Sequence, residues 1–259
     1  MTERVIIEKS GGVLTLTLNR PEKKNALSPD MYAALSGAIE GAAADPEVRC
    51  VLIQANGDMF TAGNDLSDFA AVNSGDTPPA GERRVGGALL EALARATIPI
   101  IAAVNGRAVG IGTTMLLHCD LVFVDENALL TTPFVNLALA PEAASSILLP
   151  ARIGYVRAFS MFVLGEAVNA QKAEAWGIAN AVVPAGELRA RARAAAEAVA
   201  ARPTTSVAIT KSLMREPEAL MARIKEEGSH FTTQLVSPEA KEAFAAFREK
   251  RPPDFTKVA

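Results

Sequence analysis

The chain has 259 residues, of which 26 are Lys or Arg and 29 are Asp or Glu, for a formal charge of −3. Apolar residues make up 49% and charged residues 21%. This balance excludes bulk disorder and suits one large domain with a buried core. There is no basic excess or Lys/Arg block, hence no footprint for nucleic acid. Two cysteines, Cys50 and Cys119, are too few for a disulfide framework, and no C-x-x-C or His cluster points to a metal. The opening MTERVIIEKS lacks an apolar signal region, and no run reaches the ~18 apolar residues of a membrane span. The expectation is a soluble, cytoplasmic protein with no membrane partner.

Taken in chain order, Val5–Ile7 and Val13–Leu18 flank Gly11-Gly12 and predict a hairpin. Ser28-Pro29-Asp30 is a helix start with a hydroxyl cap, and Met31, Leu35, Ile39 and Ala42 give that helix one apolar face. Val48–Gln54 predicts a strand, and FTAGNDLSDF a turn that opens another helix. Gly86–Ala96 reads as helix and Ile98–Val104 as a buried strand, which Asn105-Gly106 ends. A helix over Ile111–His118 and a strand over Leu121–Val124 follow. This alternation predicts an α/β layered domain. After about Ala185 the pattern is nearly all helical, and no strand is expected beyond Val183. Three apolar stripes carry that tail: Leu188, Ala192, Ala195 and Val199; Leu220, Ile224, Phe231 and Leu235, interrupted by Gly228; and Ala240, Phe244 and Phe247, opened by Ser237-Pro238-Glu239. The expected division is a core over 1–195 that holds the site, and a helical region over 196–259 that packs on the core or on a partner subunit.

Three stretches carry chemistry. Phe60–Leu66 and Asn105–Gly112 each follow a strand, turn sharply at glycines and open a helix. A helix start leaves unpaired N–H groups with roughly +0.5 charge. Two such turns facing each other can hold one developing oxyanion between two backbone donors, although each alone is no more than a strand-to-helix turn. The third is APEAASS. An acid at Glu142 can simply favour a helix N-terminus. Its surroundings, Phe134, Val135, Leu137, Leu139, Ile147 and Leu148, also desolvate it and raise its pKa toward a useful base. His118, on an apolar helix, reads as a satisfied core histidine and Trp176 as packing; His230 has no assigned role.

The stretches LNRPEKKNALS, FTAGNDL, PIIAAVNGRAVGIGTTMLLHCDLVF, LGEAVNAQKAEAWGIANAVVP and FREKRPPDF are similar to the crotonase, or enoyl-CoA hydratase/isomerase, superfamily. The resemblance runs from about Val5 to about Phe255. It implies an α/β spiral of ββα units with a helical C-terminal trimerisation region, assembled as a homotrimer or a dimer of trimers. It implies an acyl-CoA thioester substrate, its carbonyl oxygen held by the N–H groups of Asn64 and Ile111, and no cofactor beyond the substrate's own coenzyme A. The family turn usually has Gly where this chain has Ile111. Lys23, Lys24 and Ala26 fall near the nucleotide or pantetheine, and Ala62, Asp65 and Leu66 along the adenine and pantetheine path. Gly110, Thr114 and Phe134 join the substrate-binding set. On the residues alone, Lys23 and Lys24 read equally as a solvated loop, and Asp65 as a brace of its own turn.

Departures from the family pattern set the subclass. Two glutamates that hold water in typical hydratases are replaced here by Thr114 and Phe134. Glu142, in PEAASS, resembles instead the single glutamate of the Δ3,Δ2-enoyl-CoA isomerase branch. The expected activity is therefore a shift of a 3-enoyl-CoA double bond to 2-enoyl-CoA by one proton-shuttling carboxylate. Another crotonase-type reaction, hydration or thioester hydrolysis, and a catalytically silent acyl-CoA-binding trimer are the alternatives.

Overall fold

The computed structural model describes residues 3–65 and 83–258. The expected second helix start after Asn64 and the candidate Leu66 lie outside the described residues. Strands β1 (Val5–Ser10) and β2 (Val13–Leu18) form the expected antiparallel hairpin. Strands β3 (Cys50–Ala55), β4 (Ile100–Val104), β6 (Leu121–Asp125) and β9 (Ala181–Val183) extend it, all in parallel, into a six-stranded sheet of order β1-β2-β3-β4-β6-β9. Both faces are covered, so the parallel strands read as apolar runs rather than as alternation. Leu14, Leu16, Val51, Ile53, Ile100, Ala102 and Val104 enter the main core, while Val13, Cys50, Leu52, Ile101 and Ala103 enter a smaller one on the opposite face.

Helix α1 (Pro29–Ala44) buries Met31, Leu35, Ile39 and Ala42 as its periodicity predicts, and packs against α2 (Arg83–Arg95). The expected Ser28 cap is not made. Its hydroxyl donates to Asp30 Oδ1 at 2.5 Å and its oxygen accepts from Arg4 Nη1 at 3.4 Å, so a charged donor stands where a backbone amide would. On the far face of the sheet, α7 (Leu188–Ala200) seals the smaller core with Leu188, Ala192, Ala196 and Ala200.

A second, three-stranded sheet of order β5-β7-β8 joins β5 (Arg107–Val109), β7 (Leu129–Thr131) and β8 (Val168–Asn169). The sequence gives no sign of it, because strands of two or three residues are too short for periodicity to register. Helix α3 (Ile111–Thr114) continues as a 3₁₀ turn over Met115–His118. Helices α4 (Ser145–Ile153), α5 (Tyr155–Phe159), with a π turn over Ser160–Leu164, and α6 (Ala170–Ala175) follow.

The C-terminal helices are α8 (Thr204–Met214), α9 (Pro217–Leu235) and α10 (Pro238–Glu249), the last capped by Ser237 Oγ on the Ala240 amide at 3.1 Å. Helix α9 runs unbroken through Gly228, contrary to expectation. One interior glycine costs a helix only about 1 kcal/mol, and the buried residues on either side outweigh it. Phe247 is exposed rather than part of the buried stripe, which Ala243, Phe244 and Ala246 complete. Lys211 ties α8 to the sheet: its buried Nζ donates to Ile98 O and Asp120 Oδ2, both at 2.7 Å.

Exposed apolar side chains stand on α5 and the turn after it (Tyr155, Val156, Phe159, Leu164) and on α8 (Ile209, Leu213, Met214). Cys50 and Cys119 are both buried free thiols, and burial pushes each up to about 12. Among the described residues, no helix is long and apolar enough to cross a membrane.

Candidate active site

The two glycine turns lie side by side. Thr61 N–H donates to Arg107 O at 3.2 Å, and Val109 N–H donates to Thr61 O at 3.1 Å. Their approach is so close that a Cβ on Gly63 would stand 2.7 Å from Val109 O, and one on Gly112 2.4 Å from Thr61 Cγ2. Thr61 has no room to yield: its hydroxyl donates to Asn25 O at 2.6 Å and accepts the Gly63 amide at 3.0 Å.

Each turn aims one amide away from the backbone ladder. Gly63 O accepts from Leu27 N–H at 2.8 Å, and Asp65 N–H donates to Leu27 O at 3.3 Å. The alternation of a strand then points Asn64 N–H to the other side. Tyr32 Oη donates to Asn64 Oδ1 at 2.5 Å and fixes that side chain. Ile111 opens α3 behind Gly110, whose φ of 56° and ψ of −119° suit glycine alone. Among the described residues, neither the Asn64 nor the Ile111 amide meets an acceptor. The Ile111 side chain is buried in the main core, so this residue offers the site only its backbone.

Glu142 reaches this helix through Thr114, whose Oγ1 donates to Glu142 Oε1 at 2.5 Å. Thr114 is three residues after Ile111 on one face of α3, so this hydrogen bond brings the carboxylate to the short helix that Ile111 opens. Burial pushes Glu142 up to about 7; the Thr114 hydrogen bond opposes that rise, and the charge of Glu227 adds to it. Phe134 is buried, its ring 6.1 Å from that of Phe162.

The backbone directly behind Glu142 is strained and clamped. Ala143 and Ala144 both have positive φ, 64° and 53°, a conformation that costs a residue with a Cβ about 1–2 kcal/mol each. His118 Nε2 lies 2.8 Å from Ala143 O, while Arg215 Nη2 lies 3.1 Å from His118 Nδ1. Arginine can only donate. Nδ1 is therefore the acceptor, and Nε2–H donates to the Ala143 carbonyl. Burial, with Arg215 beside it, pushes His118 down to about 4 and keeps it neutral. On the other side, Glu227 Oε2 accepts the Ala144 amide at 2.6 Å and Oε1 accepts the Ser146 amide at 2.9 Å.

Sequence reasoning missed Glu227, yet a signal was present. It fills the gap in the stripe Leu220, Ile224, Phe231, Leu235, which makes it an acid at a core position of α9.

The other candidates gather at one end of this arrangement. Lys23 ends an exposed 3₁₀ turn over Pro21–Lys23, and the exposed Lys24 Nζ pairs with Asp58 at 2.8 Å. Ala26 is buried, Ala62 is half-buried, and the Ala62 amide donates to Lys24 O at 2.9 Å. Asp65 is braced from outside its own turn: Arg20 Nη1 donates to its Oδ2 at 2.9 Å and to Ala26 O at 3.1 Å. Lys24, Ala26, Ala62 and Asp65 are thus stitched together beside Asn64. Trp176 carries Arg157 and Lys172 over its ring, at 4.9 and 5.5 Å. Among the described residues, no group of three His, Cys, Asp or Glu could hold a metal ion.

The family described as enoyl-CoA hydratase/isomerase matches residues 8–258. The chain is 33% identical to 1,2-epoxyphenylacetyl-CoA isomerase of Escherichia coli over 99% of both chains. It is 32% identical to enoyl-CoA delta isomerase 2 of Rattus norvegicus, over 96% of this chain and 64% of that protein. In structure it is similar to an enoyl-CoA hydratase/isomerase from Pseudoalteromonas atlantica, with a TM-score of 0.91 and 42% identity over 98% of this chain and 100% of the other.

Proposed function

The chain belongs to the enoyl-CoA hydratase/isomerase family, and on that premise we propose that it moves the double bond of a 3-enoyl-CoA thioester to C2 with Glu142 as its one base. The family description covers hydration and isomerisation alike. What favours isomerisation is the inventory of carboxylates among the described residues beside the two donor amides. Thr114 supplies a hydroxyl where a hydrating site needs a second acid, and it is spent on Glu142 Oε1. The neighbouring acid, Glu227, has both oxygens occupied by backbone amides. Among the described residues Glu142 Oε2 meets no hydrogen-bond donor, which leaves it to handle a proton.

The chemistry needs no more than this. A C2 proton becomes acidic when the thioester oxygen's growing charge is stabilised. Two preorganised amides, from Asn64 and Ile111, do that, each worth about 2.7–4 kcal/mol of barrier. Glu142 takes the C2 proton and returns it at C4, which leaves the double bond conjugated with the carbonyl. The apolar wall that includes Phe134 keeps competing water away. The reading requires no cofactor beyond the substrate's coenzyme A, whose nucleotide end falls to the stretch Lys23–Ala26. It also includes assembly as a homotrimer or a dimer of trimers, which the exposed apolar faces of α5 and α8 support.

Incubation with 3-enoyl-CoA and 2-enoyl-CoA thioesters in separate vessels tests the reaction. The 3-enoyl compound should be converted to its conjugated isomer, seen as a rise in enoyl-thioester absorbance. Rapid consumption of the 2-enoyl compound, with 3-hydroxyacyl product, would instead establish a hydratase. The same assay carries a pH expectation. The base must be ionised, so kcat/KM should rise about tenfold per pH unit below about 7 and level off above it. An acid limb near pH 4.5 would mean that a solvated carboxylate is the base.

A further inference from the structure

We propose that Glu227, on a helix distant in sequence, is the positioning residue for Glu142: its two oxygens, one on the Ala144 amide and one on the Ser146 amide, hold in place the backbone that carries the base. The inference rests on the reading of Glu142 as the base and adds a second residue to it.

Three observations carry it. First, α4 starts without a cap of its own. Its capping residue is Ala144, which has no side-chain acceptor for the first amides. Glu227 supplies that acceptor from α9, and supplies it as a carboxylate at the positive end of α4. Second, the capped amides belong to the strained stretch. Ala143 and Ala144 hold two successive left-handed conformations that unsubstituted backbone has no reason to keep. The restraints are His118 on the Ala143 carbonyl, Glu227 on the Ala144 amide, and the Ser145 amide on Glu142 O at 3.1 Å. Removing one leaves the pair free to relax, and Glu142 is the next residue along. Third, Glu227 is nearly inaccessible, with both oxygens occupied, so its carboxylate is spent on the protein rather than on substrate.

Its charge acts as well. Beyond burial, the Thr114 hydroxyl lowers the proton affinity of Glu142 and the charge of Glu227 raises it, because that charge disfavours a second anion. Burial raises the proton affinity of Glu227 itself; the Ser146 and Ala144 amides and Arg223, one turn earlier on α9 and paired with Glu226 at 3.1 Å, oppose that rise and favour its charged form. His118 is neutral. Glu227 therefore both aims the base and helps to keep its proton affinity near neutrality.

The test compares the full-length parent, Glu142→Gln, Glu227→Gln and Glu227→Asp with a 3-enoyl-CoA substrate across pH. Displacing a catalytic group by about 1 Å can cost about 10²-fold. Glu227→Gln keeps one acceptor but loses the charge: kcat should fall by about tenfold or more, KM should stay within about twofold, and the acid limb should move below 7. Glu227→Asp keeps the charge but is too short to reach both amides: kcat should fall while the acid limb stays near 7. In the double variant with Glu142→Gln, the Glu227 change should add nothing further. A Glu227→Gln enzyme with parental kcat and acid limb, even one that melts at lower temperature, overturns the inference. If that variant does not fold, parental kcat in Glu227→Asp overturns it equally. Normal turnover by Glu142→Gln would overturn the proposed reaction instead, so the two failures are distinct.

Discussion

Glu142→Gln should lower double-bond migration by roughly 10²–10⁴-fold, the range that general base catalysis contributes. A saturated acyl-CoA should bind within a few-fold of its parental affinity. Glutamine has the shape of glutamate and still accepts the Thr114 hydroxyl, so the site keeps its form and loses only its base. The same substitution should raise stability at neutral and alkaline pH. Burial raises Glu142 from an ordinary 4.5 to about 7, so between those values the native state binds more protons than the unfolded state does. Stability contributed by this group is whole below pH 4.5 and is lost as pH rises through about 7, at up to about 1.4 kcal/mol per unit. Glutamine titrates nowhere in that range. Thermal melts should therefore show the variant above the parent at pH 8, with the gap closing toward pH 4.5. A variant that is both active and no more stable at pH 8 would contradict a buried base at this position.

Gly63→Ala should disable the candidate site with a single methyl group. At φ 86° the alanine is strained before it meets anything, and its Cβ would stand 2.7 Å from Val109 O, a backbone atom held by the β5 ladder. Relief requires the Asn64 turn to part from the Ile111 turn, which separates the two donor amides. Loss of one such donor costs roughly 10²–10³-fold in kcat. The expected result is that loss with KM changed much less, measured by steady-state kinetics on the 3-enoyl substrate. Parental kcat would show that the two turns are not a single device.

The legible parts of the molecule are those with a strong local signal. The β1–β2 hairpin follows from two β-rich runs around Gly11-Gly12, and the buried face of α1 from a period of 3.6 sustained over the helix. Strands β5, β7 and β8 are too short to repeat anything, so the second sheet, which seats Gly110 by accepting its amide at Thr131 O, was invisible. Within the site, the desolvation of Glu142 could be read from its apolar neighbours, but its partner Thr114 lies 28 residues away and is joined only by the fold. Glu227 broke an apolar stripe in plain sight. A single acid in such a stripe reads as an irregularity until the strained amides it serves are seen. Ser28 shows the converse: its local signal was strong, and Arg4, distant in sequence, stands where the capped amide would.

The two cysteines have a consequence for an enzyme whose proposed substrate is itself an activated acyl donor. A thioester surrenders its acyl group to any accessible thiolate, and a protein that holds one close risks acylating itself. Here both thiols are sealed in the interior and pushed up to about 12, so each keeps its proton at neutral pH. The chain can linger over such a ligand through many turnovers without being consumed as its acceptor.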